Sequence, residues 1–309
     1  MIVAYINAYR DRFGVEPICA VLSEHGCTIA PSTYYARTKT LVTDAELQEA
    51  YLVNALVELH QANWGVYGVR KLWHAARRAG LQVGRDQVGR LMAIAGITGA
   101  VRGRHRTVTT RSDRSAPRHP DLVKRRWNAP TGIDQLWVAD FSYVWTLAGF
   151  VYVAFVVDVF SRRILGWRVS SSKQTALVLD AFRQALNSRH RGELTWTATG
   201  LIHHSDAGSQ YVSVAFTAEL LEAGIAGSIG TVGDALDNAL CESTIGLFKT
   251  EAIHGPSWLD RAEVEWQVAR WVHWHNTTRL HSSIGHLPPI EFEQLHRQAK
   301  TTAASPEVA

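Results

Sequence analysis

The chain has 309 residues, of which 46% are apolar, and carries a formal net charge of +4 with a pI of about 9.0. Length and composition are those of a globular protein with about two domains. The 3 cysteines, an odd number without C-x2-C spacing, argue against a disulfide framework or a zinc finger and fit a reducing cytosol. The longest apolar run, FVYVAFVVDVF, is interrupted by Asp158 and is too short to span a membrane, so no membrane partner is expected.

The first third of the sequence has the pattern of helices. Residues 1–40 predict a small helical segment and a candidate helix-turn-helix. Residues 44–99 predict a second helical region, in which YGVRKLWHAARRAGLQVGRDQVGRLMAIAGITG carries two amphipathic stripes around a glycine-bearing turn. This pattern is typical of a helix-turn-helix-like DNA-binding region, although a plain αα-hairpin with a solvated basic face also fits. Arg70, Arg85 and Arg90 lie on the polar sides and are candidate DNA-binding residues.

Residues 100–130 are predicted to form a basic linker, because they combine few apolar residues with several prolines. Residues 101–126 hold nine Lys or Arg and two Asp, a net charge of +7, so the rest of the chain sums to −3. On charge alone, a solvated linker and a polyanion partner are about equally supported. The basic helix pair just before favours double-stranded DNA, with Arg102, Arg104 and Arg106 as further candidate contacts.

From residue 133 the sequence changes to β-rich runs. LWVADFSYV, FVYVAFVVDVF and RRILGWRVS are joined by short links, which favours antiparallel hairpins. Parallel strands with crossovers are implied by the next predicted elements: helix 175–187, strand 200–205, helix 212–223, strand 226–229 and helix 234–251. The predicted fold class is α/β, a ribonuclease-H-like mixed five-stranded sheet with flanking helices over residues 131–295, preceded by an all-α helix-turn-helix-like N-terminal region. Residues 296–309 predict a disordered tail.

A ribonuclease-H-like sheet would carry acids in its first strand, at the end of its fourth and on a later helix. Asp140 lies inside an apolar strand, where a buried carboxylate is costly unless it is paired or binds a metal. Asp206 ends the fourth strand, and Glu242 follows after 35 intervening residues. Taken singly, Asp206 is more often a turn residue and Glu242 a solvated helix acid. Together the three indicate a catalytic site for two Mg²⁺ or Mn²⁺ ions, which prefer oxygen ligands.

The predicted helix of Glu242 supplies a fourth candidate. DNALCESTIGLFKTE places Leu240 and Leu247 on one apolar stripe and Glu242 on another side, among small residues. Lys249 lies two helical turns beyond Glu242 and shares its face. Lys249 is therefore a candidate contact for a phosphate next to the reacting one.

Other conspicuous polar residues are interpreted as structural. His203 and His204 are adjacent on a strand, point to opposite faces and cannot share a metal site. One is assigned to the core and the other to the vicinity of the site. Asp158, before VFSRR, is interpreted as a strand-end cap, with a structural role near the site as the alternative.

LWVADFSYV, HHSDAGSQY and DNALCESTIGLFKTE, with the 35-residue gap, resemble the DDE core of the retroviral-integrase-like transposases. More narrowly, they resemble the second-frame (OrfB) product of two-frame bacterial insertion sequences. YGVRKLW…RLMAIAGITG resembles that group's helix-turn-helix-like segment, and WVHWHNTTRLHSSIGHLPPIEFE resembles its C-terminal signature. The resemblance covers roughly residues 55–295. One departure is His275, where the family more often has a tyrosine.

The resemblance implies a transposase that catalyses metal-dependent DNA strand cleavage and 3′-hydroxyl strand transfer during movement of an insertion sequence. Asp140, Asp206 and Glu242 would be its catalytic and metal-binding triad, and Lys249 its basic DNA contact. The implied partners are double-stranded DNA at the element ends and target, a first-frame (OrfA-type) product or a fusion with it, and further copies of the chain. The expected location is the cytoplasm, in association with the nucleoid.

Two other functions stay open at this level. A non-catalytic DNA-binding regulator derived from a transposase would use the helix pair and the basic linker, but it has no reason to keep three converging acids. A ribonuclease H or a junction nuclease would share the sheet. The basic N-terminal third and the C-terminal segment argue against that class.

Overall fold

The structure is a computed structural model. It describes residues 1–38, 42–101, 119–124, 126–127, 129–206, 208–230, 239–253 and 257–304. The chain forms two compact units, Met1–Glu58 and Leu59–Ala309. Within the residues described, no helix is both long enough and apolar enough to cross a membrane.

The first unit is helical. Its elements are α1 (Ile2–Phe13), α2 (Val15–Glu24), α3 (Pro31–Thr38) and most of α4 (Asp44–Ala62). Helical spacing brings a few apolar side chains of α1 to α3 and their connections into one small buried core, formed by Ile6, Ile18, Cys19, Ile29 and Tyr34. The Tyr34 hydroxyl donates to Asn7 Oδ1 at 2.7 Å. Helices are therefore present where the sequence predicts them in residues 1–40 and 44–62.

The second unit contains the predicted helix pair, α5 (Val69–Arg78) and α6 (Arg85–Ala95). The two apolar stripes are buried, through Leu72, Ala75, Ala76, Val88, Leu91 and Met92. Gly80, between the helices, has a φ of 84°, a left-handed conformation that glycine adopts without strain. Trp73 Nε1 donates to the Val83 carbonyl oxygen at 3.0 Å and closes the connection. The glycine-bearing turn between two amphipathic helices is thus present.

A mixed five-stranded sheet forms the centre of this unit. Its strands are β1 (Leu136–Thr146), β2 (Gly149–Asp158), β3 (Ile164–Ser170), β4 (Ile202–Ser205) and β5 (Ala226–Ile229). They lie in the order β3-β2-β1-β4-β5. The first three pair antiparallel, whereas β1–β4 and β4–β5 are parallel. This arrangement confirms the predicted fold class.

Helices cover both faces of the sheet. They are α7 (Thr175–Gly192), α8 (Val214–Glu222), α9 (Ala239–Glu251), α10 (Arg261–Thr277) and α11 (Pro289–Ala304). On one face, Phe182 of α7 packs in the same core as Trp137 of β1. On the other, the rings of Phe248 (α9) and Trp271 (α10) lie 5.3 and 5.8 Å from the ring of Phe155 (β2). These buried aromatic residues fix α7 and α9 on opposite sides of β1 and β2.

The C-terminal tail differs from the prediction. Because α11 continues to Ala304, the prediction of a disordered tail is wrong for residues 296–304; residues 305–309 lie outside the described part. The Thr301 and Thr302 hydroxyls donate to carbonyl oxygens four residues earlier. Polar composition suggested disorder, but a helix whose first turns are buried against the core propagates readily into such a segment.

A buried charge network joins α11 to the sheet. Arg189 of α7 donates to both carboxylate oxygens of Glu293 at 2.8 Å and to Asp134 at 2.8 Å. Burial raises the pKa of Glu293, but the hydrogen bonds and charge of Arg189 outweigh it and lower this pKa to about 2.

Asp158 accepts from the backbone N–H and hydroxyl of Ser161 at 2.7 and 2.8 Å, which confirms it as a strand-end cap. Burial raises the Asp158 pKa to about 6.

Gly166→Ala is expected to destabilise the second unit by about 2 kcal/mol or more. A Cβ on Gly166 of β3 would lie 2.8 Å from the amide nitrogen of Ala185 and closer still to the carbonyl oxygen of Ala181. Both are backbone atoms of α7, so the helix would have to move away from the sheet. Urea unfolding measures the loss. Gly192→Ala is the control, because its Cβ would meet nothing within 4 Å. Equal midpoints for the two variants would contradict this close packing.

Candidate active site

Asp140 and Asp206 lie side by side where β4 ends against the middle of β1. β4 pairs in parallel with β1 up to the pair Ala139–Ser205. Asp140 is the next residue of β1, and Asp206 is the next residue after β4. Neighbouring strands are about 4.8 Å apart, so the two side chains start from adjacent backbone positions. The parallel pairing, which the sequence alone could only imply, therefore brings these acids together.

The two carboxyl groups disfavour each other's ionisation. Burial raises the pKa of Asp140 well above its usual value, and the charges of Asp206 and Glu242 raise it further. Lys249 and a backbone hydrogen bond act in the opposite direction. Burial also raises the pKa of Asp206, although Gly208 N donates to its Oδ1 at 3.1 Å. Such a group of acids favours a cation placed among them.

Helix α9 brings the third acid and the lysine to this pair. Glu242 lies exposed in the first turn of the helix, and Lys249 is half-buried two turns later. The charges of both act on Asp140. Burial lowers the pKa of Lys249, and Asp140 counteracts that shift. The structure thus brings Asp140, Asp206, Glu242 and Lys249 into one neighbourhood.

Two buried residues that no sequence pattern predicted, Tyr211 and Cys241, also lie near Asp140 and Asp206. The charges of Asp140 and Asp206 add to burial in raising the pKa of both Tyr211 and Cys241 well above their usual values. The Tyr211 hydroxyl has no hydrogen-bond partner within the described residues, an arrangement that is rare for a buried group. Only their places in the sequence could have pointed to these two residues. Tyr211 ends the stretch HHSDAGSQY, which contains Asp206, and Cys241 directly precedes Glu242.

The donor set fits a hard divalent cation in chemistry and charge. Carboxylate oxygens are the ligands that Mg²⁺ and Mn²⁺ prefer. Gly208 keeps the space beside Asp206 clear, since an added Cβ would lie 2.9 Å from Asp206 Oδ1. Over the described ranges, no three His, Cys, Asp or Glu side chains lie close enough to hold one ion between them. Mg²⁺ is usually bound through one or two carboxylates, with water and phosphate oxygens as its other ligands, so two of these acids suffice for one ion.

The conspicuous histidines are structural. His203 and His204, on opposite faces of β4, are both buried. The His203 ring stands edge-on to Phe182 at 5.4 Å, and burial lowers its pKa to about 3. His204 Nδ1 hydrogen-bonds to the Ser228 hydroxyl of β5 at 2.8 Å.

His275 of α10 is buried as well, and its Nε2 lies 3.1 Å from a backbone carbonyl oxygen of the β2–β3 turn. Burial lowers its pKa to about 3, so it is neutral at pH 7.

The predicted DNA-binding arginines are on the helix pair. Arg70 is exposed on α5, and Arg85 and Arg90 are exposed on α6. Arg85 pairs with Asp86 at 2.9 Å, and both side chains face solvent. Such a pair contributes little to stability, so a phosphate can replace the carboxylate. The remaining candidates, Arg102, Arg104 and Arg106, lie outside the described residues.

A buried ion pair fixes the far end of α9. Glu251, its last residue, accepts from Arg279 Nε at 2.9 Å and from Trp271 Nε1 at 3.2 Å. The Arg279 and Glu251 side chains are only 4% and 6% exposed. The next residue, Leu280, donates its N–H to the Tyr67 hydroxyl at 2.7 Å. The segment after α10 therefore holds in place the helix that carries the third acid.

Comparison with known proteins gives two kinds of match. An integrase core domain matches residues 130–235, a second integrase core domain matches 223–289, and an HTH-like domain matches 46–105. The chain is 45% identical over 296 residues to the transposase for insertion sequence element IS629 of Shigella sonnei, covering 94% of this chain and 95% of that protein. It is 47% identical over 266 residues to the putative transposase for insertion sequence element IS986/IS6110 of Mycobacterium tuberculosis, covering 86% and 95%.

The class of protein follows from fold and sequence together. A mixed sheet in the order β3-β2-β1-β4-β5, preceded by a helix pair, is an integrase-type core with a helix-turn-helix-like region. The chain belongs to the insertion-sequence transposases with an integrase core domain. Among solved structures, the HTLV-2 integrase catalytic core domain in complex with magnesium is similar with a TM-score of 0.39 and 13% identity, over 53% of this chain and 98% of that one.

Proposed function

We propose that this transposase cuts and joins DNA with Asp140, Asp206 and Glu242 as its catalytic and metal-binding triad. The main support is the placement of Asp140 and Asp206 next to each other beyond the β1–β4 pairing. The charges of Glu242 and Lys249 act on the same Asp140 carboxyl. In the first step, water hydrolyses one phosphodiester at the element end and leaves a free 3′-hydroxyl. In the second, this hydroxyl attacks a target phosphodiester and displaces the 3′-oxygen of the target strand, which leaves as a hydroxyl.

Each residue has a role in holding the reacting phosphate. When bound, two Mg²⁺ or Mn²⁺ ions supply positive charge to the attacking and leaving oxygens. Asp140 and Asp206 would hold these ions from the sheet, and Glu242 would hold them from α9. Lys249 contacts the neighbouring phosphate, because its charge offsets the repulsion that three acids exert on DNA. No covalent protein intermediate is required, so no nucleophilic side chain is assigned.

The proposed partners follow from the basic surfaces. Arg70, Arg85 and Arg90 contact DNA phosphates from the helix pair, and Arg102, Arg104 and Arg106 do so from the basic linker. A first-frame (OrfA-type) product, separate or fused, supplies further recognition of the element ends. Two ends must be held together for transfer, so the chain acts as an oligomer on DNA.

Donor DNA carrying the element ends tests the proposal. With Mg²⁺ or Mn²⁺, the purified chain, with or without the first-frame product, should cut one strand at the end and join the 3′-hydroxyl to a target. Removal of the divalent ions by a chelator should abolish both steps and leave DNA binding. DNA binding without cleavage under every condition would instead favour a non-catalytic regulator.

A further inference from the structure

The end of the β1–β2 hairpin carries exposed aromatic rings beside the proposed site. Trp145 is 59% exposed, and Phe150, its partner across the hairpin, is 48% exposed. Tyr143 lies two residues before Trp145 and therefore on the same face of β1. The Phe150 ring stands edge-on to both, with centroids 4.8 Å from Trp145 and 5.1 Å from Tyr143. These three residues are called the aromatic tip.

The hairpin holds the aromatic tip in a defined position. At the turn, Leu147 N donates to the Trp258 carbonyl oxygen at 2.8 Å, and Ala148 N donates to the Leu259 carbonyl oxygen at 3.1 Å. These two hydrogen bonds hold the turn in place, so the rings lie on an ordered hairpin and not on an unsupported loop. Contiguous exposed apolar side chains of this kind mark a binding surface more often than a packing defect.

Lys249 connects the aromatic tip to the triad. Its Nζ lies 5.0 Å from the centroid of the Tyr143 ring, and its charge also acts on Asp140. Along β1, the five residues from Asp140 to Trp145 span about 17 Å. The side chains of Asp140 and Tyr143 start on opposite faces of β1, but the β1–β4 pairing ends at Ala139 and Lys249 reaches the Tyr143 ring. A DNA strand with its reacting phosphate at Asp140 and the next phosphate at Lys249 would therefore pass along the free edge of β1 to Tyr143 and Trp145.

We propose that the aromatic tip stacks an unpaired base of the DNA end that the triad processes. This role rests on the proposed function and adds a binding site to it. Aromatic side chains stack on any base through its π-face, and Lys249 supplies the complementary charge for the phosphate of the same strand. Because a base reaches a ring only after it leaves its partner, the aromatic tip would favour ends whose last base pairs are open.

The test compares a short duplex carrying the element end with the same duplex bearing a few unpaired nucleotides, both bound in Ca²⁺. The wild type should prefer the unpaired end by about 5- to 100-fold. Trp145→Ala should lose this preference and Trp145→Phe should keep most of it. Trp266→Ala, which removes a 66% exposed tryptophan of α10, is the matched control and should keep all of it. A 2-aminopurine base in the unpaired stretch should be quenched by the wild type and by Trp145→Phe, but not by Trp145→Ala.

Three other results are decisive. Equal preference in the wild type and Trp145→Ala overturns the stacking role. A smaller oligomer for Trp145→Ala, with the preference unchanged, overturns it too and assigns the aromatic tip to contacts between copies of the chain. If the wild type cleaves element ends but does not prefer the duplex with unpaired nucleotides, the stacking role is wrong and the proposed function stands. If the wild type binds neither of the two duplexes, the stacking role and the proposed function are both contradicted.

Discussion

Replacing Glu242 with glutamine is expected to lower donor-strand cleavage and strand joining by at least about 100-fold. Glutamine keeps the shape of the side chain and removes the negative charge by which Glu242 of α9 acts on Asp140. Glu242 is exposed, so the folded state should persist. DNA affinity should be equal or slightly higher, because one negative charge near the phosphates is lost. A gel assay with labelled element ends and Mg²⁺ measures both steps.

The matched control for this substitution is Glu222→Gln. Glu222 is also an exposed helical glutamate, at the end of α8. It should cleave and join DNA at the wild-type rate. Full activity in Glu242→Gln, with the same DNA affinity, would remove Glu242 from the triad and contradict the role assigned to α9.

The largest effect on stability is expected at Arg279. Arg279→Ala should lower the free energy of unfolding by about 3–5 kcal/mol, since the carboxylate of Glu251 would stay buried without its cation. Glu251→Ala should cost a comparable amount. The double variant should cost less than the sum of the two, because each single change already removes the same interaction. Denaturant unfolding followed by tryptophan fluorescence measures all three, and Trp271 donates directly to Glu251.

An exposed ion pair provides the comparison for Arg279. Arg297 and Glu193 are joined at 3.0 Å with side chains 43% and 49% exposed. Arg297→Ala should cost no more than about 1 kcal/mol, because water already solvates both partners. Similar small losses for Arg279→Ala and Arg297→Ala would show that the buried pair does not fix the end of α9.

Local patterns were sufficient to predict the sheet. Strands β1 to β3 have apolar runs of the right length, and the links around Gly149 and Arg162 are too short for anything but hairpins. Asp140 stood out because a carboxylate inside such a run is costly without a partner or a metal. The spacing of Asp206 and Glu242 then matched the order of strand and helix. In the structure, the β1–β4 pairing places Asp206 next to Asp140, and the charge of Glu242 on α9 also acts on Asp140.

Interactions between distant residues were beyond sequence reasoning. Arg279 and Glu251 are 28 residues apart, and Arg189 and Glu293 are 104 apart. No periodicity links such partners, so their pairing becomes visible only when α9, α10 and α11 pack on the sheet. The same holds for Tyr211, a buried residue whose pKa is raised in part by the charges of Asp140 and Asp206, although no sequence pattern marked it.

Binding of Mn²⁺ to the DNA-bound protein tests the metal triad most directly. Calorimetric or spectroscopic titration can compare the wild type with Asp140→Asn and Asp206→Asn, each of which keeps the size of the side chain. We predict that the wild type binds two ions and that each substitution weakens binding by at least about 10-fold. Unchanged Mn²⁺ affinity and stoichiometry in Asp206→Asn, with DNA still bound, would contradict a metal site formed by these carboxylates.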